Sequence, residues 1–231
     1  MEPEFDRYAD NYRELMRDPI RDAFAAGSDF FHARKWRLLR DFFERRGTVT
    51  KSSRWLDIGS GKGELLRLGR EAFADAAGCD PSAAMIEECL DLPVRLQENP
   101  LVLPFPDESF GFVTAVCVYH HVEPKGRAAL TAEVRRVLTA GGVFAIIEHN
   151  PLNPVTRLIV SRTPVDAHAQ LLRAGDAEAL LRGAGLTPFE KSYFLYLPER
   201  LYRRFSIVED WLKRIPGGGQ YAVYGSKQRG I

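Results

Sequence analysis

This chain is poor in the features that would tie it to a special environment. Its three cysteines, Cys79, Cys89 and Cys117, are odd in number and lack metal-ligand spacing. That argues against a disulfide framework or a structural zinc site. Cys79 and Cys117 lie in apolar, strand-like runs and read as buried free thiols. Net charge is also missing: 32 Lys and Arg stand against 31 Asp and Glu, leaving +1, so no global field recruits nucleic acid or an anionic membrane. Locally, RLYRRF at 200–205 reads as a solvated helix face. No apolar run reaches the roughly 18 residues of a membrane span, and MEPEFDRYADNY has neither a basic start nor an apolar stretch. The expectation is a cytoplasmic protein without membrane or nucleic-acid partners. No internal repeat or low-complexity segment is present, and no pattern speaks to oligomeric state.

What is present is an ordinary globular composition, 45% hydrophobic and 27% charged over 231 residues, enough for one domain with a modest insert. From residue 54, strand-like and helix-like runs alternate: RWLDI, ELLRLGREAF, AAGCD, SAAMIEECL. This predicts βαβ units and a parallel sheet. FGFVTAVCVYHHV is nearly continuous apolar sequence, the pattern of a central strand buried on both faces. KGRAALTAEVRRVLTAGG reads as a helix capped by its two glycines, and VFAIIEH as the next buried strand. Residues 150–175 hold three prolines and little periodicity, and so predict a long irregular insert before GDAEALLRGAGL resumes a helix. The tail predicts an amphipathic helix around ERLYRRFSIVEDWLKRI, with its aromatics in the core, and a last strand in GGGQYAVYGSK. The first 50 residues read as helical.

The segment most informative about function is WLDIGSGKGEL at 55–65. Alternating glycines let the backbone take positive φ and admit a ligand close to the main chain. The dinucleotide fingerprint fails because Glu64 stands where its third glycine belongs, and the P-loop fails because Gly63, not Ser or Thr, follows Lys62. Asp57 at the strand end repels a pyrophosphate and welcomes an ammonium group. Asp80, closing the next strand, stands where a ribose diol is held. WLDIGSGKGEL, GCDPSAAMIE, LPFPDESFGFV and RRVLTAGGVFAIIE, in that order, resemble the motifs of the class I S-adenosylmethionine-dependent methyltransferase family, and the insert resembles that of a bacterial small-molecule subgroup.

The resemblance implies an α/β fold: a doubly wound, mostly parallel seven-stranded sheet with an antiparallel last strand, helices on both faces and a helical N-terminal lid. It implies a lid over 1–50 and a methyltransferase domain over 51–231 with a substrate-side insert at 150–175. The implied cofactor is S-adenosyl-L-methionine, with S-adenosyl-L-homocysteine as product. Its implied ligands are Tyr8, Tyr12, Asp57, Gly59, Ser60, Gly61, Asp80, Pro81, Met85, Asn99 and Cys117. Asn99 stands where family members often carry an acid for the adenine amine, and Gly111 replaces the usual Asp after Ser-Phe. His120, His121 and His149 are the candidate catalytic groups, and Asn150, Asn153, Arg157 and His168 the candidate acceptor ligands. No metal site is expected, since the histidines lack a carboxylate cluster at ligand spacing.

The expected reaction is methyl transfer to an O, N or C atom of a small-molecule acceptor. RNA or protein methylation and a non-catalytic binding role stand as alternatives, because acceptor choice lies in grafted segments and not in the fold. A nicotinamide oxidoreductase is disfavoured by Glu64. DNA adenine methylation is disfavoured because CVYHHV replaces the Asn- or Asp-Pro-Pro-aromatic motif.

Overall fold

A computed structural model describes residues 4–48 and 50–229. The chain runs α1 Tyr12–Leu15, α2 Pro19–Phe24, α3 Ser28–Arg46, β1 Arg54–Ile58, α4 Glu64–Gly69, β2 Asp75–Asp80, α5 Ala83–Ile86, β3 Val94–Leu96, β4 Phe110–Val116, α6 Pro124–Val137, β5 Leu138–His149, α7 Pro154–Val160, α8 Ala174–Gly183, β6 Leu186–Phe194, α9 Glu199–Leu212 and β7 Gln220–Lys227. The sheet order is β3-β2-β1-β4-β5-β7-β6. β7 is antiparallel to both neighbours and every other pairing is parallel. As its apolar run predicts, β4 is the middle strand, flanked by β1 and β5. Strand order reverses between β1 and β4, so their carboxyl ends open the crevice in which such sheets bind ligands.

Two apolar layers cover the sheet. One packs Leu130, Val134 and Val137 of α6 and Ala177 and Leu181 of α8 on one face. The other lays Leu39, Phe42 and Phe43 of α3 on Trp55 and Phe112. Phe42 stacks on Tyr224 with ring centroids 4.1 Å apart. Because α3 runs across the sheet this way, its polar residues Arg34 and Lys35 are carried beneath the surface. That placement matters for the site.

Three local expectations are corrected. The glycines after α6 do not cap it: the helix ends at Val137, whose carbonyl and that of Arg136 accept the N–H groups of Ser109 and Glu108. Gly141 (φ +79°) and Gly142 lie in an irregular start to β5, where the register jumps from Phe110↔Leu138 to Phe112↔Val143. Residues 150–175 are not wholly irregular, because Asn153 accepts the N–H of Thr156 and, with Pro154 at the first helical position, starts α7. In the tail, Tyr202 is buried but Phe205 and Trp211 are exposed, so its aromatics are only partly core. Gly111 has a steric reason, since a Cβ there would stand 2.2 Å from Ser53 Oγ.

Candidate active site

The loop between β1 and α4 places three glycines in the left-handed region: Gly59 (φ +63°), Gly61 (φ +52°) and Gly63 (φ +76°). A Cβ on Gly59 would meet Val118 Cγ2 at 2.5 Å, and one on Gly63 would meet Leu92 Cδ1 at 2.3 Å. Gly61 differs: nothing lies within 4 Å of its Cβ position, so its backbone faces open space. Ser60 Oγ is buried and has no hydrogen-bond partner among the described residues.

Asp57, at the end of β1, is buried and accepts a hydrogen bond from Thr114 Oγ1 at 2.5 Å. Burial pushes its carboxyl up to about 7, against the opposing pull of the Thr114 bond and the Lys35 charge. Asp80, at the end of β2, accepts from the N–H groups of Gly61 (2.8 Å) and Ser82 (2.9 Å). Burial also raises its pKa, partly offset by those two bonds. Pro81 and the buried Met85 follow directly. Asn99 is exposed and its side-chain carbonyl already accepts from Leu101 N–H.

At the end of β4, Cys117 holds φ +58°, an uncommon conformation for a residue with a Cβ. Its sulfur lies 3.6 Å from Lys35 Nζ and 3.5 Å from Gln220 Nε2. Burial alone would raise the thiol, but the Lys35 charge and His149 bring it down to about 7. Cys117 is a free thiol, as expected, but it is only partly buried, which corrects that part of the expectation. For Cys79 burial dominates and raises the pKa.

Next come the histidines. His120 is only 2% exposed. Its Nδ1 meets Glu148 Oε2 at 2.5 Å and its Nε2 faces Asp166 Oδ1 at 3.4 Å. Burial opposes its charge, yet the two carboxylates, Glu148 foremost, lift its pKa to about 10. With both nitrogens committed and the ring protonated, His120 is a positioning residue and not a base, which corrects its expected catalytic role. His121 is partly exposed, with Nε2 3.5 Å from Asp166 Oδ1. Burial, reinforced by the charge of His120, lowers its pKa to about 4 and keeps the ring neutral. His149 lies with its ring 5.1 Å from that of His120 and its Nδ1 3.5 Å from Gln220.

The N-terminal segment roofs this crevice. Phe5 meets His121 edge-on at 4.8 Å, Asp6 accepts from Ser82 Oγ at 2.5 Å, and Lys62 Nζ donates to Ala9 carbonyl oxygen at 2.9 Å. Tyr8 packs edge-on against Phe5, with ring centroids 6.0 Å apart. Tyr12 is half-buried, and burial, then the negative charges of Cys117 and Asp166, raise its phenol. Among the described residues His120, His121 and Asp166 bring ligand-type atoms within 4.8 Å of one another. Glu148 and Asp166 already serve His120 as counter-ions, so that cluster balances as an ion pair.

The expected acceptor ligands fare differently. Asn150 is 1% exposed and donates to the carbonyls of Pro216 and Gly218 while accepting from Leu152 N–H. Asn153 caps α7 and donates to Gly217 carbonyl oxygen. Both hold the turn after α9; the buried Asn150 has its amide fully engaged and Asn153 is committed to capping α7, which corrects both as primary acceptor ligands. Arg157 and His168 are exposed. Lys35 and Glu148 escaped sequence reasoning. A carboxylate at the end of the apolar FAIIE was the available signal for Glu148, because a buried charge needs a partner. Lys35 had none, since only the path of α3 brings it to Cys117.

Residues 56–146 match the family described as "Methyltransferase domain". The chain is 32% identical over 111 residues to "Uncharacterized methyltransferase YcgJ" of Bacillus subtilis, covering 44% of this chain and 43% of that protein. It is 27% identical over 139 residues to "Probable tRNA methyltransferase 9B" of Bos taurus, covering 58% of this chain and 29% of that protein. The chain thus spans less than half the length of these curated relatives. Among solved structures, a Haloferax volcanii methyltransferase in complex with the Trm112 activator aligns over 99% of this chain and all of its own, with TM-score 0.69 and 18% identity. A methyltransferase from Archaeoglobus fulgidus aligns over 83% of this chain and 94% of its own, with TM-score 0.63 and 20% identity. These likenesses bear out the expected fold.

Proposed function

We propose that this chain, which belongs to the S-adenosylmethionine-dependent methyltransferase family through its domain at residues 56–146, transfers a methyl group to an O, N or C atom of a small-molecule acceptor. S-adenosylmethionine supplies an electrophilic sulfonium methyl when bound. The residues present fit that cofactor. Asp57 offers a carboxylate to its ammonium group, the open face of Gly61 admits its amino-acid portion, and Asp80 offers an acceptor to the ribose hydroxyls. Lys35, buried beside Cys117, is the natural counter-charge for the carboxylate of the cofactor tail.

At the reacting end, His120 acts through others. Held as an imidazolium between Glu148 and Asp166, it fixes Asp166, and Asp166 in turn orients His121. His121 is neutral and partly exposed, so it takes the acceptor proton where the nucleophile arrives protonated. Tyr12 and Phe5 exclude water from the same end. Of the lid expected over 1–50, residues 4–24 act as the lid while α3 packs into the core against the sheet, and residues 150–175 act as the acceptor-side segment.

The observation that carries the small-molecule reading is this roof. Phe5 on His121, Asp6 on Ser82 and Ala9 on Lys62 lay the N-terminal segment over the crevice, which favours a small acceptor over a polynucleotide. A transfer-RNA acceptor is the second reading, favoured by the likeness to the Bos taurus relative. Incubation with methyl-deuterated cofactor separates them: label in low-molecular-weight extract supports the first reading, and label confined to RNA overturns it. Calorimetric titration with S-adenosylmethionine, an Asp80→Ala variant and NADH as control tests the cofactor independently of the acceptor.

A further inference from the structure

α9 is amphipathic in the wrong direction. Its inward face is polar: Glu209, 5% exposed, accepts the N–H groups of Tyr196 and Leu197 and pairs with Arg34 of α3. The Arg34 guanidinium also lies 3.7 Å from the centroid of the Tyr202 ring and donates to the Tyr202 hydroxyl at 2.6 Å. This buried ion pair fixes the rotation of the helix, because turning α9 to bury apolar side chains would expel Glu209 and strand Arg34 without a counter-ion.

The outward face carries what a core would normally hold. Trp211 is 79% exposed and Ile207 64%, and Leu201, Phe205 and Val208, with Ile215 just beyond the helix, are exposed with them, the stripe bending where α9 kinks at Phe205 (φ −130°, ψ +33°). Interspersed on this face and its flank are Arg200, Arg204 and, just beyond the helix, Arg214, none with a carboxylate partner among the described residues, against one exposed acid, Asp210. Arg203 is neutralised by Glu199 four residues earlier. An exposed apolar stripe of this extent, on a helix whose rotation is set by a buried ion pair, is the kind of patch that marks an interaction site.

We propose that the outward face of α9 docks on an anionic lipid bilayer. The charge pattern selects this occupant. Isoleucine, leucine, phenylalanine and tryptophan set among arginines are the composition of helices that lie in the membrane interface, with Trp at headgroup depth and guanidinium groups on lipid phosphates. A second copy of the chain fits less well, because the stripe offers three unpaired arginines, Arg200, Arg204 and Arg214, against a single exposed acid, Asp210. The association is peripheral, since no helix among the described residues is long and apolar enough to cross a membrane. It also bears on acceptor delivery. Asn150, Asn153 and Thr156 all bond carbonyls of the turn at 216–219, so whatever holds α9 holds the start of the acceptor-side segment.

The test is flotation of the full chain with phosphatidylcholine vesicles, with and without phosphatidylglycerol. Two exposed double variants run in parallel, Ile207→Ser with Trp211→Ser and Arg200→Glu with Arg204→Glu, and each is confirmed folded by its thermal transition. Wild type is expected to float with the phosphatidylglycerol vesicles and not with phosphatidylcholine alone, with a blue shift of Trp211 fluorescence. Both double variants are expected to stay at the bottom, since each arginine near the surface contributes roughly fivefold to binding. The proposal is overturned if wild type floats with neither vesicle, if the Ile207/Trp211 variant floats undiminished, or if wild type is a lipid-free dimer that this variant converts to monomer.

Discussion

Lys35 Nζ and Cys117 Sγ lie 3.6 Å apart although 82 positions separate them in the chain. Together with His149, the Lys35 charge overcomes burial and leaves the thiol titrating at about 7, so a large fraction is thiolate at neutral pH. Alkylation by iodoacetamide should select Cys117 with a midpoint near pH 7. Cys89, raised to about 11, and the buried Cys79 should remain unmodified. Lys35→Met should move the midpoint up and weaken cofactor binding about tenfold or more, the usual cost of a lost charge-assisted bond. Mass spectrometry showing equal, slow labelling of all three cysteines from pH 6 to 9 would sink this account.

The Glu148–His120–Asp166 triad contributes to stability with a definite sign in pH. His120 titrates at about 10 in the fold against about 6.5 unfolded. Its contribution is therefore complete below about pH 6.5 and is lost as pH rises through about 10. Thermal unfolding should show an alkaline decline that His120→Asn removes. Glu148→Gln leaves a buried imidazolium with one counter-ion fewer and should cost about 3–5 kcal/mol, or roughly 2–4 °C per kcal/mol in a chain of this size. A variant melting within a degree of wild type would contradict the ion-pair assignment.

Much of this was legible in the sequence where the signal is local. The apolar run ending in HHV had one fold-level meaning, and GSGKG declared a close approach because each glycine relieves a specific clash or opens a specific face. Asn150 and Asn153 misled because an asparagine beside a proline looks the same whether its amide serves a ligand or a carbonyl of a distant turn. His120 misled for a related reason. Its counter-ions come from β5 and from residues 164–166, and only the fold reveals that both nitrogens are engaged. The outward stripe of α9 shows as amphipathic in sequence, but which face is inward depends on Arg34, 175 positions from Glu209.

Asp57 links cofactor affinity to pH. Its carboxyl titrates at about 7 in the free protein because burial outweighs the Thr114 bond, and an ammonium partner lowers that value. Binding therefore releases a proton. Affinity for S-adenosylmethionine should rise between pH 6 and 8, level off above, and fall toward about tenfold per unit below. Asp57→Asn should flatten the profile at the low-affinity end. A calorimetric profile independent of pH in wild type would separate Asp57 from the ammonium site.

Polar ties hold the roof over the crevice, and it opens by losing them. Lys62 ties it to the glycine loop through Ala9, with Glu88 as its counter-ion, and Asp6 ties it to α5 through Ser82 and Ala84. Segments that cover a site from outside the sheet open with a fraction of the global free energy. Lys62→Met removes one tie without touching Asp57, Asp80 or the histidines. Trypsin should then cut at Arg7 and Arg13 several-fold faster than in wild type, while the thermal midpoint moves by only a degree or two. Cofactor should slow cleavage in both proteins, because a ligand beneath the roof binds the closed state and pulls the equilibrium toward it. Cleavage at an unchanged rate in the variant would mean that residues 4–11 are held by something other than Lys62. A cofactor that accelerates cleavage would mean that the roof is displaced on binding, and the enclosure argument for a small acceptor would fall with it.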